Sequence, residues 1–313
     1  MTAILTVTLN PALDLSTSAP VVRPGDKLRC DALRAEPGGG GVNVARAVGI
    51  LGGRAQAFVA RAGHVGDQFA DLLATEPLDP VWFDMPGETR QSLAVTDRES
   101  GAQYRFVMPG PVWTEALGDR ACAAIAEAAH EDALVVLSGS QPPGLPAAFP
   151  GALVAATAQK GARVILDTSG PPLRTLASAS APYVLRLDGA ESADLAGHPL
   201  PDRAAVAGFA QTLVAKGLAE IVVLAMGAQG SVLASRAGLF HATTPDVPVR
   251  SKIGAGDSFV GGFALALSQG ALPEAALVRG CAAASAAVMT DGTELCRPAD
   301  VDRLAAAATL TRL

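Results

Sequence analysis

Only four cysteines occur in 313 residues (Cys30, Cys122, Cys281 and Cys296), and no two form a CxxC pair. The four histidines, His64, His130, His198 and His241, are equally scattered. These spacings exclude a zinc site, and with no mark of secretion the cysteines read as free thiols in a reducing cytoplasm. Lysine is scarce, at positions 27, 160, 216 and 252 only, and the formal net charge is -6. A chain this acidic lacks the clustered cations that a nucleic-acid backbone demands, although a few cations inside a cleft can still hold a small anion. Met1 leads straight into Ile4–Leu9 without a basic segment or a long apolar one, so no secretory leader is expected. No run of about 18 uncharged apolar residues exists to span a membrane. Three common nucleotide fingerprints are also missing: GxxxxGK[ST], a complete GxGxxG and the protein-kinase catalytic loop.

What is present is a rhythm. Half of the residues are hydrophobic, enough for one large core over 1–313. Short β-branched runs alternate with alanine- and leucine-rich stretches. Strands are expected at 4–9, 56–60, 134–137, 164–166, 183–185 and 221–224. Helices are expected at 41–51, 115–129, 147–160, 203–216, 274–289 and 300–310. This βαβα order predicts an α/β fold with a mostly parallel sheet covered on both faces. Two segments break it. Residues 14–36 hold short extended pieces between prolines and glycines, and 89–108 read as a hairpin around Glu99-Ser100-Gly101-Ala102. Together they predict a small β-sheet outside the main one, too small to stand alone and suited to closing over a ligand or pairing with a second subunit.

Four strings can carry chemistry. Gly254-Ala255-Gly256-Asp257 runs from a small-residue loop into a helix. Its backbone N–H groups can converge on an anion at the positive end of the helix dipole, and Asp257 in the first turn can take a proton from an attacking hydroxyl. Gly38-Gly39-Gly40-Gly41-Val42-Asn43 opens another helix, where Asn43 can both donate to and accept from one ligand. Asn10-Pro11-Ala12-Leu13-Asp14 follows the first strand, at the end of the sheet where α/β folds collect ligands. Lys27, Arg29, Arg90 and Arg105 lie in the two outlying segments and can gather over a phosphorylated ligand. Read singly, each string fits a loop, a cap or a solvated surface equally well.

Together the strings resemble the PfkB/ribokinase-like family of carbohydrate kinases. The likeness also runs through Thr89-Arg90-Gln91, Gln103 to Gly110 and Ser138-Gly139-Ser140-Gln141-Pro142-Pro143-Gly144. It implies a ribokinase-like fold whose small sheet serves as lid and dimer clasp. It further implies an ATP- and Mg²⁺-dependent kinase acting in the cytoplasm. Asp257 is then the base, with Gly254, Ala255 and Gly256 forming the anion hole. The acceptor ligands are Asp14, Lys27, Gly39, Gly40, Asn43, Arg90, Arg105 and Ser140. Arg186, Asp188, Ala225, Gly227, Gly230 and Ser285 fall on the nucleotide side, and Glu191 reaches Mg²⁺ through water. A monovalent cation is a further expectation from the family, although Asp291 and Glu294 fall on its expected flank and alter that site. Relatives acting on fructose 1-phosphate usually carry a lysine within the N-terminal glycine run. Its absence here tilts the acceptor toward fructose 6-phosphate, with tagatose 6-phosphate, fructose 1-phosphate or an idle sugar-phosphate sensor as alternatives.

The sequence departs from the family pattern on the nucleotide side. Asp188 stands where the Asn-x-x-Glu motif has asparagine, Arg186 replaces a lysine, Ala225 a serine, and Lys252 a small polar residue. An altered donor preference or metal response is the corresponding expectation.

Overall fold

Strands made wholly of apolar residues survive only where both faces are covered, and the runs read above fold in this way. The computed structural model describes residues 2–177 and 180–313. In chain order come β1 (Ile4–Thr8), β2 (Ala12–Ala19), β3 (Arg34–Gly38), α1 (Gly40–Ile50), β4 (Gln56–Arg61), α2 (Gly63–Leu73), β5 (Asp79–Asp84), β6 (Arg90–Asp97), β7 (Gln103–Val107) and α3 (Glu115–Ala128). Then follow β8 (Leu134–Ser138), α4 (Phe149–Ala158), β9 (Arg163–Asp167), β10 (Val184–Leu187), α5 (Gly189–Ala196), α6 (Arg203–Ala215), β11 (Ile221–Ala225), β12 (Ser231–Ser235), β13 (Gly238–Thr243), α7 (Ala255–Ser268), α8 (Pro273–Ala287), α9 (Pro298–Ala306) and β14 (Thr309–Arg312).

The main sheet runs β14-β13-β12-β11-β10-β9-β8-β1-β4-β5. From β11 through to β5 every pair is parallel, while β12, β13 and β14 add an antiparallel edge. One face buries Leu5, Val7 and Val135 with Ile125 of α3, Leu153 of α4 and Leu213 of α6. The other buries Ile4, Val136 and Ile165 with Val44 of α1, Phe263 of α7 and Leu277 of α8. Two glycines inside α7 make that second layer possible. A side chain at Gly261 would stand 2.6 Å from Ala47 Cβ of α1, and one at Gly262 would stand 2.9 Å from Ala283 Cβ of α8.

The two outlying segments form a separate four-stranded sheet in the order β3-β2-β6-β7. The hairpin β6–β7 is antiparallel as expected, but it joins the first segment through a parallel β2–β6 pairing. Between β2 and β3 the chain is largely irregular. One expectation needs correcting: the helix at 300–310 stops at Ala306. Thr309–Arg312 then pairs antiparallel with β13, the alternating Thr-Leu-Thr favouring a strand where the alanine run ends.

Candidate active site

Parallel strands deliver their C-terminal ends to one rim, and the chemistry collects there. Gly254 caps the start of α7, and its φ of 74° suits a residue without Cβ. A helix start leaves its first N–H groups without intrahelical acceptors, so those of Ala255, Gly256 and Asp257 remain available to an anion. Asp257 lies in this first turn and is partly exposed. Desolvation pushes its carboxyl up to about 7. A hydrogen bond from Asn43 Nδ2 at 2.9 Å pulls the other way, Asp167 raises it further, and Arg186 and Arg46 lower it. A carboxylate poised near neutrality is what general-base catalysis requires.

Beside the helix start stands Arg186. A Cβ on Gly256 would lie 3.4 Å from its Nη1, so the guanidinium lies against the anion hole. Burial works most strongly against this cation, but Asp167, bonded to Nη1 at 2.9 Å, together with Glu191 and Asp188 more than offsets it and keeps the group protonated. Asp167 is held in turn by Ser138 Oγ at 2.9 Å. Arg186 Nε is buried without a partner among the described residues, a donor left for a ligand.

Arg186, Gly256 and Ala255 border a cavity of about 460 Å³ whose walls also include Ala225, Gly227, Gly230, Lys252 and Ser285. Its size suits a nucleotide. The sequence departures at Arg186, Ala225 and Lys252 therefore share one cavity. Asp188 is not in its wall. It caps α5, accepting from Glu191 N at 2.8 Å while Glu191 Oε2 accepts from Asp188 N at 2.8 Å. Aspartate caps a helix as well as asparagine does, so the local fold survives the exchange.

Glu191 is raised by burial and then by the neighbouring Asp188 and Asp167 carboxylates. Among the described residues no three His, Cys, Asp or Glu side chains stand close enough to hold a metal directly. Crowded carboxylates of this kind fit a hydrated Mg²⁺, which keeps several of its waters. Both carboxylates expected to flank a monovalent cation are taken by arginines: Asp291 by Arg250 at 2.8 Å, and Glu294 by Arg297 at 2.8 and 3.0 Å.

On the far side of Asp257 lies the glycine run. Gly40 and Gly41 press against the ends of β8 and β1, and Gly39, at φ 131°, packs on Thr8 and Pro11. A side chain at Gly38 would overlap the Asp14 carboxylate. Asp14 is raised by burial and lowered by Arg90, Ser92 and Arg105. Arg90 is half-buried and donates from Nε to the Asn10 carbonyl at 3.2 Å. Asn10 Nδ2 reaches Ser140 Oγ at 3.2 Å. Asp14, Arg90, Arg105 and Ser140 thus share one corner. Lys27 does not join them: it is exposed in the irregular stretch between β2 and β3, and it is not among the charges acting on Asp14.

Sequence reasoning assigned no role to Arg46, Glu76, Asp167 or Ser138, although Ser138 stands in a string that carries the family likeness. The last two stand at or just past the ends of strands it had read, which was signal enough. Arg46 lies one helical turn beyond Asn43, a weaker cue.

A nucleotide-sized cavity, a carboxylate of raised affinity for protons and an anion-binding helix start between them define a phosphotransferase with an alcohol acceptor. Residues 8–300 match the pfkB family of carbohydrate kinases, and the chain belongs to this family. It is 36% identical over 300 residues to ATP-dependent 6-phosphofructokinase isozyme 2 of Mycobacterium tuberculosis, covering 96% of this chain and 88% of that one. Against the same isozyme of Escherichia coli it is 37% identical over 304 residues, covering 97% and 98%. The crystal structure of the latter in complex with fructose-6-phosphate superposes with a TM-score of 0.90 over 98% of this chain and 99% of that one. That enzyme has also been solved in complex with potassium and in a tetrameric inhibited form. A 1-phosphofructokinase of Xanthomonas campestris is 34% identical over 267 residues, 84% of this chain and 83% of that one. Ribokinase of Thermotoga maritima shares the fold, with a TM-score of 0.75 at 20% identity over 97% of this chain and 99% of that one.

Proposed function

We propose that this kinase transfers the γ-phosphoryl group of ATP to the C1 hydroxyl of fructose 6-phosphate, with Asp257 as the general base. The observation that carries this reading is the position of Asp257. Its helix turn borders the nucleotide cavity through Ala255 and Gly256, while its carboxylate meets α1, whose glycine run leads to Asp14. A hydroxyl held by Asp14 and the glycine run can give its proton to Asp257 as it attacks phosphorus in line. The free N–H groups at the start of α7 and the Arg186 guanidinium then steady the charge on the migrating phosphoryl. Glu191 beside Asp188 would hold a hydrated Mg²⁺, which would supply further neutralisation of that charge.

The half-buried Arg90, with Arg105 nearby, favours an acceptor that already bears a phosphate. The all-glycine run favours the 6-phosphate over fructose 1-phosphate, the reading that the 1-phosphofructokinase relatives keep in play. The exposed apolar side chains of β7 suit pairing with a second copy through the small sheet.

ADP formation with fructose 6-phosphate, tagatose 6-phosphate, fructose 1-phosphate and unphosphorylated sugars tests the assignment. Fructose 6-phosphate is expected to give the highest kcat/KM. Asp257→Asn is expected to lose at least about 10²-fold in kcat while substrate still binds. Near-normal turnover in that variant removes Asp257 from the mechanism.

A further inference from the structure

An asparagine amide is almost the same shape either way round, so something must decide which end faces a neighbouring carboxylate. Only the NH₂ end helps Asp257; the carbonyl end repels it. Arg46 makes that choice. It lies one turn beyond Asn43 on α1, and its Nη1 donates to Asn43 Oδ1 at 3.0 Å. A guanidinium has donors only, so this contact can exist only with Oδ1 toward Arg46, which leaves Nδ2 for Asp257.

The arginine is itself held from two further elements. Glu76, in the loop after α2, takes its Nε at 2.5 Å and also its Nη2 in a two-pronged pair. The Pro37 carbonyl of β3 accepts from Nη1 at 2.7 Å. The Arg46 and Glu76 side chains are only 19% and 25% exposed, so this is no loose surface pair. The chain Glu76–Arg46–Asn43–Asp257 thus runs from the edge of the main domain to the reacting centre.

We propose that Arg46, clamped by Glu76, is a positioning residue that fixes the Asn43 amide and through it the carboxylate of Asp257. The proposal rests on Asp257 being the base. The groups bearing on that carboxylate are Asn43 and Arg46 of α1, Asp167 of β9 and Arg186 of β10. Removing Arg46 frees the amide to turn and takes away one of the two cations opposing Asp167. Both changes favour the protonated acid, so a higher pH is needed to ionise the base.

The test is the pH profile of kcat/KM for ADP formation with fructose 6-phosphate, read in the wild type, Arg46→Met, Arg46→Lys and Asp257→Asn. The acid limb of the wild type is expected near pH 7. In Arg46→Met it moves upward by on the order of one pH unit, so the loss is large at low pH and shrinks as pH rises. Arg46→Lys, which keeps a cation and a donor, returns most of the way. Adding Arg46→Met to an Asn43→Leu background brings a clearly smaller shift than in the wild type, because the amide is gone and only the direct effect of the lost cation remains. An acid limb that stays in place, with activity lost equally at every pH, overturns the proposal. If Arg46→Met does not fold, Glu76→Gln loosens the guanidinium without removing it and is expected to move the limb the same way; an unmoved limb there overturns the proposal too. Asp257→Asn separates the two readings. Retained turnover in that variant defeats the base assignment, whereas a dead Asp257→Asn with an unmoved limb in the Arg46 variants defeats only the positioning role.

Discussion

Asp257 illustrates how a single residue can be useful for chemistry and costly for folding. In the unfolded chain its carboxyl loses its proton near 3.8, but in the folded protein it keeps the proton up to about 7. Between those values the native state binds more protons than the unfolded one, so raising the pH through this window lowers stability. Above pH 7 the full cost is present; below about pH 4 it vanishes. Asp257→Asn carries no charge and retains a carbonyl oxygen to accept from Asn43. The thermal midpoint of this variant is therefore expected to exceed the wild type's clearly at pH 8 and to match it closely at pH 4. Circular-dichroism melts at the two pH values check this. A gap of equal size at both would mean that the substitution acts through packing and not through the charge.

Among the elements, α1 bears most directly on the site, and its start shows what the glycines are for. A Cβ on Gly40 would stand 2.5 Å from Ser138 Oγ and 2.6 Å from the Gly139 backbone nitrogen, and backbone cannot yield cheaply. Gly40→Ala is expected to destabilise by about 1–3 kcal/mol through overpacking. It should also cut activity beyond that, because it pushes the helix carrying Asn43 away from Asp257 and disturbs the serine that holds Asp167. Gly49→Ala on the same helix meets nothing within 4 Å and is the matched control, expected to be neutral or slightly stabilising. Denaturant midpoints and kcat for the pair settle the matter; equal effects at both sites would remove the packing argument. The two helix starts were legible because glycine runs next to a polar residue announce themselves locally, and strands such as β8 and β11 because their apolar runs are unbroken. α2 was missed because nothing local marks its start: the cap comes from Glu88, which accepts from His64 N and Val65 N at 3.2 and 3.1 Å across more than twenty positions. The same holds in the site. Asn43 meets Asp257 across 214 positions, and Arg46 meets Glu76 across 30, through strand order that no single stretch of sequence displays. Lys27 shows the converse, a cation placed in the acceptor corner by resemblance while its own stretch of chain leaves it exposed.

At the scale of the whole molecule, the small sheet presents a surface that a lone chain has little reason to keep. Phe106 is 53% exposed and Val107 61%, with Tyr104 and Met108 beside them on or next to β7. β7 is also an edge strand, with one side of its ladder unpaired. Contiguous exposed apolar residues on an open edge mark an interaction surface, and a second copy of the sheet offers the matching chemistry. Phe106→Asp puts a charge in the middle of this surface, where burial against a partner would leave it unpaired. The wild type is expected to sediment as a dimer and the variant, under the same conditions, as a monomer. Because Arg90 and Arg105 belong to the same sheet, its loosening should raise the KM for fructose 6-phosphate more than the KM for ATP, whose proposed cavity is lined by no residue of that sheet. A variant that remains dimeric places the contact elsewhere. A monomer with an unchanged KM for the sugar phosphate would show that the acceptor corner keeps its shape without a partner.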